Sequence, residues 1–227
     1  MVIAVKAMIL AAGRGQRMRP LTDHTPKPLL RVGRKALIEY HLEALRKAGV
    51  KDIVINVSHL SEQIRTSIGD GSDYGLIVQY SDEGKQALET GGGIFHALPI
   101  LGSDPFLVVN GDIWSDYPLN SRRLTDRDLA HLVLVNNPDH NPKGDFVLQD
   151  GRIRSIGSPK LTFSGIGYYR PELFERCTGG KFKLAPLLSR AASQDQVSGE
   201  HYLGRWSDIG TPQRLQALDT IISQLTA

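Results

Sequence analysis

The residues best suited to chemistry are a lysine set between two prolines and a glycine-rich turn just before it. Thr25-Pro-Lys-Pro-Leu29 places Lys27 between Pro26 and Pro28. The two rings fix the backbone and remove donors, so the ammonium is held stiffly on an otherwise loose segment. Upstream, Ala11, Ala12 and Gly13 are small enough to let a planar base and a phosphate approach the main chain. Gly13 and Gly15 allow successive N–H groups to turn inward as an anion cradle. Arg17 adds a planar fork of donors that matches phosphate oxygens. A rigid cation beside an anion cradle suits a reaction between two anions. Met18 stands where the dinucleotide fingerprint needs its third glycine, and no Gly-Lys-Ser/Thr follows, so neither that motif nor the P-loop is present.

Acids supply the other half of the chemistry. Asn110-Gly-Asp112 closes the apolar run 106–109. A carboxylate there is costly unless it is paired or bound to a metal. Mg²⁺ prefers one or two protein carboxylates, with phosphate and water completing its octahedron, and Asp112 fits that role. Asp208, in Trp206-Ser-Asp-Ile-Gly-Thr-Pro212, precedes a glycine turn and is a second candidate. Its alternative role is to accept hydrogen bonds from turn amides. Asp116 reads as a solvated acid, and the seven histidines are scattered as structural or surface groups. Cys177 is the only cysteine, which excludes an intrachain disulfide and a multi-cysteine metal site.

These groups need elements to position them. Residues 5–11 read as a strand buried on both faces, ended by Gly13. The pattern predicts a helix over 37–48, a strand over 52–57, a helix over 61–68 and a strand over 76–80. A short helix over 91–98, ended at Pro99, and a strand over 106–109 follow. This alternation predicts an α/β fold: a Rossmann-like, mostly parallel central sheet with helices on both faces. Ligands in such sheets bind beyond the carboxyl ends of the strands, where both polar constellations fall. The second half has strand patterns at 129–135, 164–169 and 202–209, and a hairpin over 146–153 turning at Asp150-Gly151. Helices are expected over 184–192 and after Thr211-Pro212. Those strands suggest a smaller lobe that covers the sheet. The expectation is one domain over 1–227, with a first half at about 1–112 around the glycine-rich turn and a second half at about 113–227 that offers a second ligand surface.

Composition narrows the partners. The chain has 227 residues, 41% hydrophobic and 22% charged, as in an ordinary soluble domain. A net charge of +3 is too weak for a nucleic-acid stripe, and the early cluster Arg14, Arg17, Arg19 and Lys27 favours a local anionic ligand. No stretch approaches the roughly 18 apolar residues of a membrane span, and no secretory pattern opens the chain. A cytoplasmic monomer without membrane or nucleic-acid partners is expected.

Leu10-Ala-Ala-Gly-Arg-Gly-Gln-Arg-Met-Arg-Pro-Leu-Thr22, followed by Pro26-Lys-Pro-Leu29, resembles the signature of the sugar-1-phosphate nucleotidyltransferase family. The resemblance covers nearly the whole chain. It implies a nucleoside triphosphate and a sugar 1-phosphate as substrates, and Mg²⁺ held by Asp112 and Asp208 together. It implies Arg17, Lys27 and Asp112 as catalytic groups, and nucleotide contacts from Ala11, Ala12, Gly13, Gly15, Glu83, Glu89 and Gly92. It implies sugar contacts from Asn110, Asp145, Ser164 and Gly165. Ser158-Pro-Lys160 lacks the family's glutamate before its lysine, so no catalytic role passes to Lys160. Segments 88–95, 181–187 and 197–201 look like a short, catalytic-domain-only group of uridylyltransferases in peptidoglycan recycling. That likeness implies UTP and a muramic sugar. Guanylylation of mannose 1-phosphate, thymidylylation or uridylylation of glucose 1-phosphate, and a non-catalytic nucleotide-sugar sensor stay open. Asn110-Gly-Asp112 is not the Asp-x-Asp of many glycosyltransferases.

Overall fold

The structure is a computed structural model that describes residues 5–119 and 124–226; residues 1–4 of the apolar N-terminal stretch lie outside it. The first half runs through β1 (Ala7–Leu10), β2 (Arg31–Val32), β3 (Lys35–Ala36), α1 (Leu37–Lys47), β4 (Asp52–Val57), α2 (Ser61–Ile68), β5 (Ile77–Asp82), α3 (Glu89–Leu101) and β6 (Phe106–Asn110). The second half runs through β7 (Ile113–Ser115), β8 (Ala130–Val135), β9 (Val147–Gln149), β10 (Arg152–Arg154) and β11 (Thr162–Tyr169). It ends with α4 (Ala185–Ser193), β12 (Val197–His201), β13 (Trp206–Asp208) and α5 (Pro212–Thr226).

Side-chain alternation explains why helices must cover both faces. Ala7 and Ile9 of β1, Ile53 and Ile55 of β4, and Leu107 and Val109 of β6 share one buried cluster with α1 and α2. Met8, Val54, Phe106 and Val108, one residue out of phase, share a second cluster with α3 and α4. A strand presents alternate residues to opposite faces, so a continuous apolar strand needs a layer on each side. The Rossmann-like α/β expectation stands on this arrangement.

Among the described residues the main sheet has nine strands in the order β5-β4-β1-β6-β11-β8-β12-β10-β9. β5, β4, β1 and β6 are parallel. β11 then runs antiparallel to both β6 and β8, and β12 is parallel to β8. The second half therefore mostly extends the sheet and does not lie over it. The physical reason is that β8 is buried along its whole length, so it needs strand partners and layers rather than a free face. β7 and β13 form a separate antiparallel ribbon over the carboxyl end of β6.

Two element predictions need correction. Helix α3 starts at Glu89 and runs through Pro99 to Leu101. Pro99 sits in the last turn, where it removes one intrahelical donor close to the helix end, and Gly102 closes the helix by donating to Leu98 O. Of the strand expected over 202–209 only β13 (Trp206–Asp208) forms, 202–205 is a loop, and an unexpected strand, β12 (Val197–His201), precedes it. β12 was hidden because Ser198, Glu200 and His201 make it read as polar. It is a strand because it pairs with β8, whose buried His131 meets Ser198 Oγ at 2.9 Å and Glu200 Oε1 at 3.3 Å.

A third, smaller core positions the site. Met18, Leu30, Val32, Leu37, Ile209, Leu218 and Ile222 pack together. This cluster joins the glycine-rich turn, the proline-flanked lysine segment, the start of α1, the end of β13 and helix α5.

Candidate active site

A cleft of ≈ 600 Å³ opens beyond the carboxyl ends of β1, β4, β5 and β6. The chain moves outward from β1 to β4 and β5, then returns on the other side of β1 as β6. That reversal leaves a crevice over β1. The floor is the first turn, Leu10 to Met18.

Gly15 has φ +60°, and a Cβ there would lie 2.9 Å from Thr22 Cγ2 and 3.3 Å from Lys27 Cβ. Glycine is thus required twice, by its dihedral and by the packing of the lysine segment against it. Thr22 Oγ1 donates to Gly15 O at 2.8 Å and ties the two segments together. Gly13 faces open space in the cleft. Arg17 lies in a 3₁₀ turn, Gln16–Met18, anchored by fully buried Met18, and its own side chain is exposed at the cleft.

Pro26 and Pro28 fold their segment into a second 3₁₀ turn, Lys27–Leu29. Leu29 N–H donates to Pro26 O at 2.8 Å. Lys27 is only 8% exposed, and its Nζ meets Asp112 Oδ2 at 2.7 Å. Asp112 follows Gly111, whose N–H donates to Leu10 O at 2.9 Å. A Cβ at Gly111 would lie 2.6 Å from that carbonyl, so only glycine lets the acid's loop come this close to β1. Ile209 N–H donates to Asp112 O at 2.7 Å, and Asp208 pairs with Ile113 across the ribbon. The backbones carrying the two acids are therefore neighbours.

Their side chains differ. Asp112 Oδ1 has no protein partner among the described residues, and its side chain is 40% exposed. Asp208 Oδ2 accepts from Arg214 Nη1 at 2.5 Å, and His140 Nε2 lies 3.0 Å from Oδ1. No group of three or more His, Cys, Asp and Glu side chains stands together among the described residues. This donor set fits a hard dication that takes most of its oxygens from phosphate and water. Behind Asp112, His41 is buried and held neutral, its pKa pushed down to about 4 by burial against the opposing pull of Asp112 and a backbone hydrogen bond with Ile113.

The cleft wall at the end of β4 rests on a residue that no motif marks. Asn56, buried at the end of β4, accepts from Ala11 N–H at 2.7 Å and donates to Glu83 Oε1 at 2.5 Å. Glu83 Oε2 accepts from Leu88 N–H at 2.6 Å. Glu83 lines the cleft, but both its oxygens are engaged in holding the first turn and the loop before α3 to the sheet. The available signal was a lone amide inside the apolar run 52–57. Replacing Asn56 with leucine strands Ala11 N–H and one oxygen of Glu83. We expect the KM for the nucleotide to rise about tenfold or more and stability to fall by roughly 2 kcal/mol. Steady-state kinetics beside thermal unfolding check this; an unchanged KM in a destabilised protein would leave Asn56 a purely structural residue.

Glu89 lines the cleft as the first residue of α3, at φ +61°, with Lys181 Nζ 3.7 Å from its carboxylate. Gly92 does not reach the cleft. It is buried, its N–H donates to Phe182 O at 3.0 Å, and a side chain there would meet Gly180 O. The glycine run lets α3 pack on segment 180–182.

Of the four residues expected to contact a sugar, only Asn110 borders the cleft. Gly165, at φ +83°, would place a Cβ 2.8 Å from the Asn110 amide, so it seats Asn110 rather than a ligand. Buried Ser164 donates Oγ to Val133 O at 2.7 Å, and Trp206 Nε1 donates to its carbonyl at 2.8 Å. Asp145 accepts from Phe163 N–H at 2.8 Å and from Asn141. These three brace the irregular stretch of β11 beside the cleft.

Comparison with known proteins gives the site a context. Residues 6–146 match the family model described as nucleotidyl transferase. The chain is 52% identical over 221 residues to the N-acetylmuramate alpha-1-phosphate uridylyltransferase of Neisseria meningitidis serogroup B, covering 93% of this chain and 96% of that one. It is 34% identical to the Caulobacter vibrioides protein of the same name, covering 96% and 97%. The inositol-1-phosphate CTP transferase of T. maritima superposes with a TM-score of 0.78 at 19% identity, covering 97% of each chain.

Proposed function

The chain belongs to the nucleotidyl transferase family, and from that premise we propose that it joins UTP and N-acetylmuramic acid 1-phosphate. The products are UDP-N-acetylmuramic acid and pyrophosphate. The nucleotide lies over the turn after β1, in the half of the single domain before about residue 112, and the sugar on the side of Asn110. A phosphate oxygen of the sugar attacks the α-phosphorus of UTP in line. The new P–O bond forms as the bond to the bridging oxygen of pyrophosphate breaks. A phosphate monoester already carries a competent nucleophilic oxygen, so no side-chain base is needed. Catalysis then consists of positioning and charge neutralisation.

The observation that carries this reading is the Lys27–Asp112 pair, fixed at 2.7 Å on the wall of the cleft that the anion-cradling turn opens into. Lys27 offsets charge that builds on the phosphates in the transition state, and Arg17 reaches the triphosphate from the rim. Asp112, with Asp208, would hold Mg²⁺, which would further neutralise phosphate charge. Among the described residues no helix is long and apolar enough to cross a membrane. The setting proposed for the chain is cell-wall recycling by a cytoplasmic monomer, which suits small, charged substrates.

The test is pyrophosphate release with Mg²⁺. UTP, dTTP, GTP, CTP and ATP are each paired with the 1-phosphates of N-acetylmuramic acid, N-acetylglucosamine, glucose and mannose. Release confined to UTP with the muramic sugar is expected. Preference for another pair would change the substrates and keep the chemistry. No release from any pair, by folded protein that still binds nucleotide, would leave a sensor.

A further inference from the structure

Arg214 stands in the first turn of α5, with its N–H facing Thr211 Oγ1 at 3.4 Å. A cation is disfavoured there, because the helix N-terminus already carries partial positive charge. Its side chain folds back to Asp208. Arg214 Nη1 lies 2.5 Å from Asp208 Oδ2 and 2.9 Å from His140 Nε2, and that ring nitrogen lies 3.0 Å from Asp208 Oδ1. The guanidinium also lies over Gly210, a residue of the cleft wall, where an added Cβ would sit 2.9 Å from Arg214 Cζ. Asp208 and Arg214 side chains are only 22% and 23% exposed, so water screens the pair incompletely.

The two acids are therefore unequal. Asp112 keeps one oxygen without a protein partner among the described residues, whereas both oxygens of Asp208 are covered. The geometry points to Arg214 as a positioning residue that competes with the divalent cation for Asp208. While the guanidinium sits on Asp208 it neutralises the carboxylate and repels a dication. In the nucleotide-free protein the cation has Asp112 as its open ligand. Asp208 is recruited when Arg214 is drawn away, and the phosphates of a substrate in the adjoining cleft are its natural acceptor. Arg214 thereby holds down metal affinity until nucleotide arrives. This rests on the reading of Asp208 as a ligand in the proposed function.

The experiment is Mn²⁺ binding by the whole chain without nucleotide, read from the free-ion EPR signal. Wild type, Arg214→Gln, Asp208→Asn and the double variant are compared. Arg214→Gln is expected to bind Mn²⁺ about tenfold more tightly, as loss of a partly buried competing charge allows. Asp208→Asn alone is expected to change nucleotide-free binding little, because Arg214 already covers that carboxylate, and in the double variant the tightening disappears. A residue that only stabilised the fold would not tighten a metal on removal. If Asp208→Asn weakens Mn²⁺ binding but Arg214→Gln leaves it unchanged or weaker, the competition is wrong and the ligand reading survives. If Asp208→Asn changes nothing in either background, Asp208 is not a ligand and both ideas fall. Arg214→Met keeps the aliphatic stem against Gly210 and repeats the test should Arg214→Gln fail to fold.

Discussion

Lys27→Met is expected to lower kcat/KM for pyrophosphate release by about a thousandfold, most of it in kcat, as loss of an electrostatic stabiliser of roughly 4 kcal/mol implies. Methionine keeps the unbranched stem, so the packing of Gly15 against the Lys27 Cβ is retained. What disappears is a cation 2.7 Å from Asp112, presented by a backbone that two prolines immobilise. Ground-state nucleotide binding shares its charge with Arg17, so KM should move less than kcat. Lys27→Arg should not rescue, because the longer planar fork cannot occupy the same enclosed position opposite Asp112. Kinetics within threefold of wild type in Lys27→Met would remove this lysine from the mechanism.

Asp112→Asn is expected to cost a similar factor, about a thousandfold, and to do so by a different route. The amide matches the carboxylate in shape, so the Gly111 turn and the Ile209 bond to the Asp112 carbonyl are undisturbed. The amide offers the cation a poor ligand and Lys27 an uncharged partner. Raising Mg²⁺ should not restore kcat, and Mn²⁺ binding should weaken in parallel. Because Lys27 is left uncompensated, nucleotide affinity should hold or improve. Wild-type kcat at saturating Mg²⁺ would show that Asp112 serves only to position Lys27.

The two halves of the site were not equally legible from the residues. Lys27, Arg17, Gly15 and Asp112 could be read because their roles are local: a fixed dihedral, a bracketed lysine, an acid at the end of an apolar run. The helices α1 and α2 and the strand β4 could be read because one face or both faces are apolar over their full length. What escaped depends on contacts far apart in the chain. Asn56 acts through Ala11 and Glu83, and His140 reaches Asp208 from 68 positions away. The resemblance assigns Gly92 and Gly165 to ligand contact, yet the space beside each is filled by protein, Phe182 with Gly180 in one case and Asn110 in the other. A glycine states that something comes close. It does not state what.

The small cluster beneath the site has a thermal consequence. Met18, Leu30 and Ile209, which anchor the cradle, the lysine turn and the segment of Asp208, are roofed by Leu218 and Ile222 of the last helix. The two large clusters that flank the main sheet can stay intact while this one opens, since they share no buried residue with it. Local opening then draws on the stability of a few apolar side chains, not on that of the whole fold. Detachment of α5 would scatter the cations and acids together, so warming silences the active site as a cooperative unit while the sheet is still native.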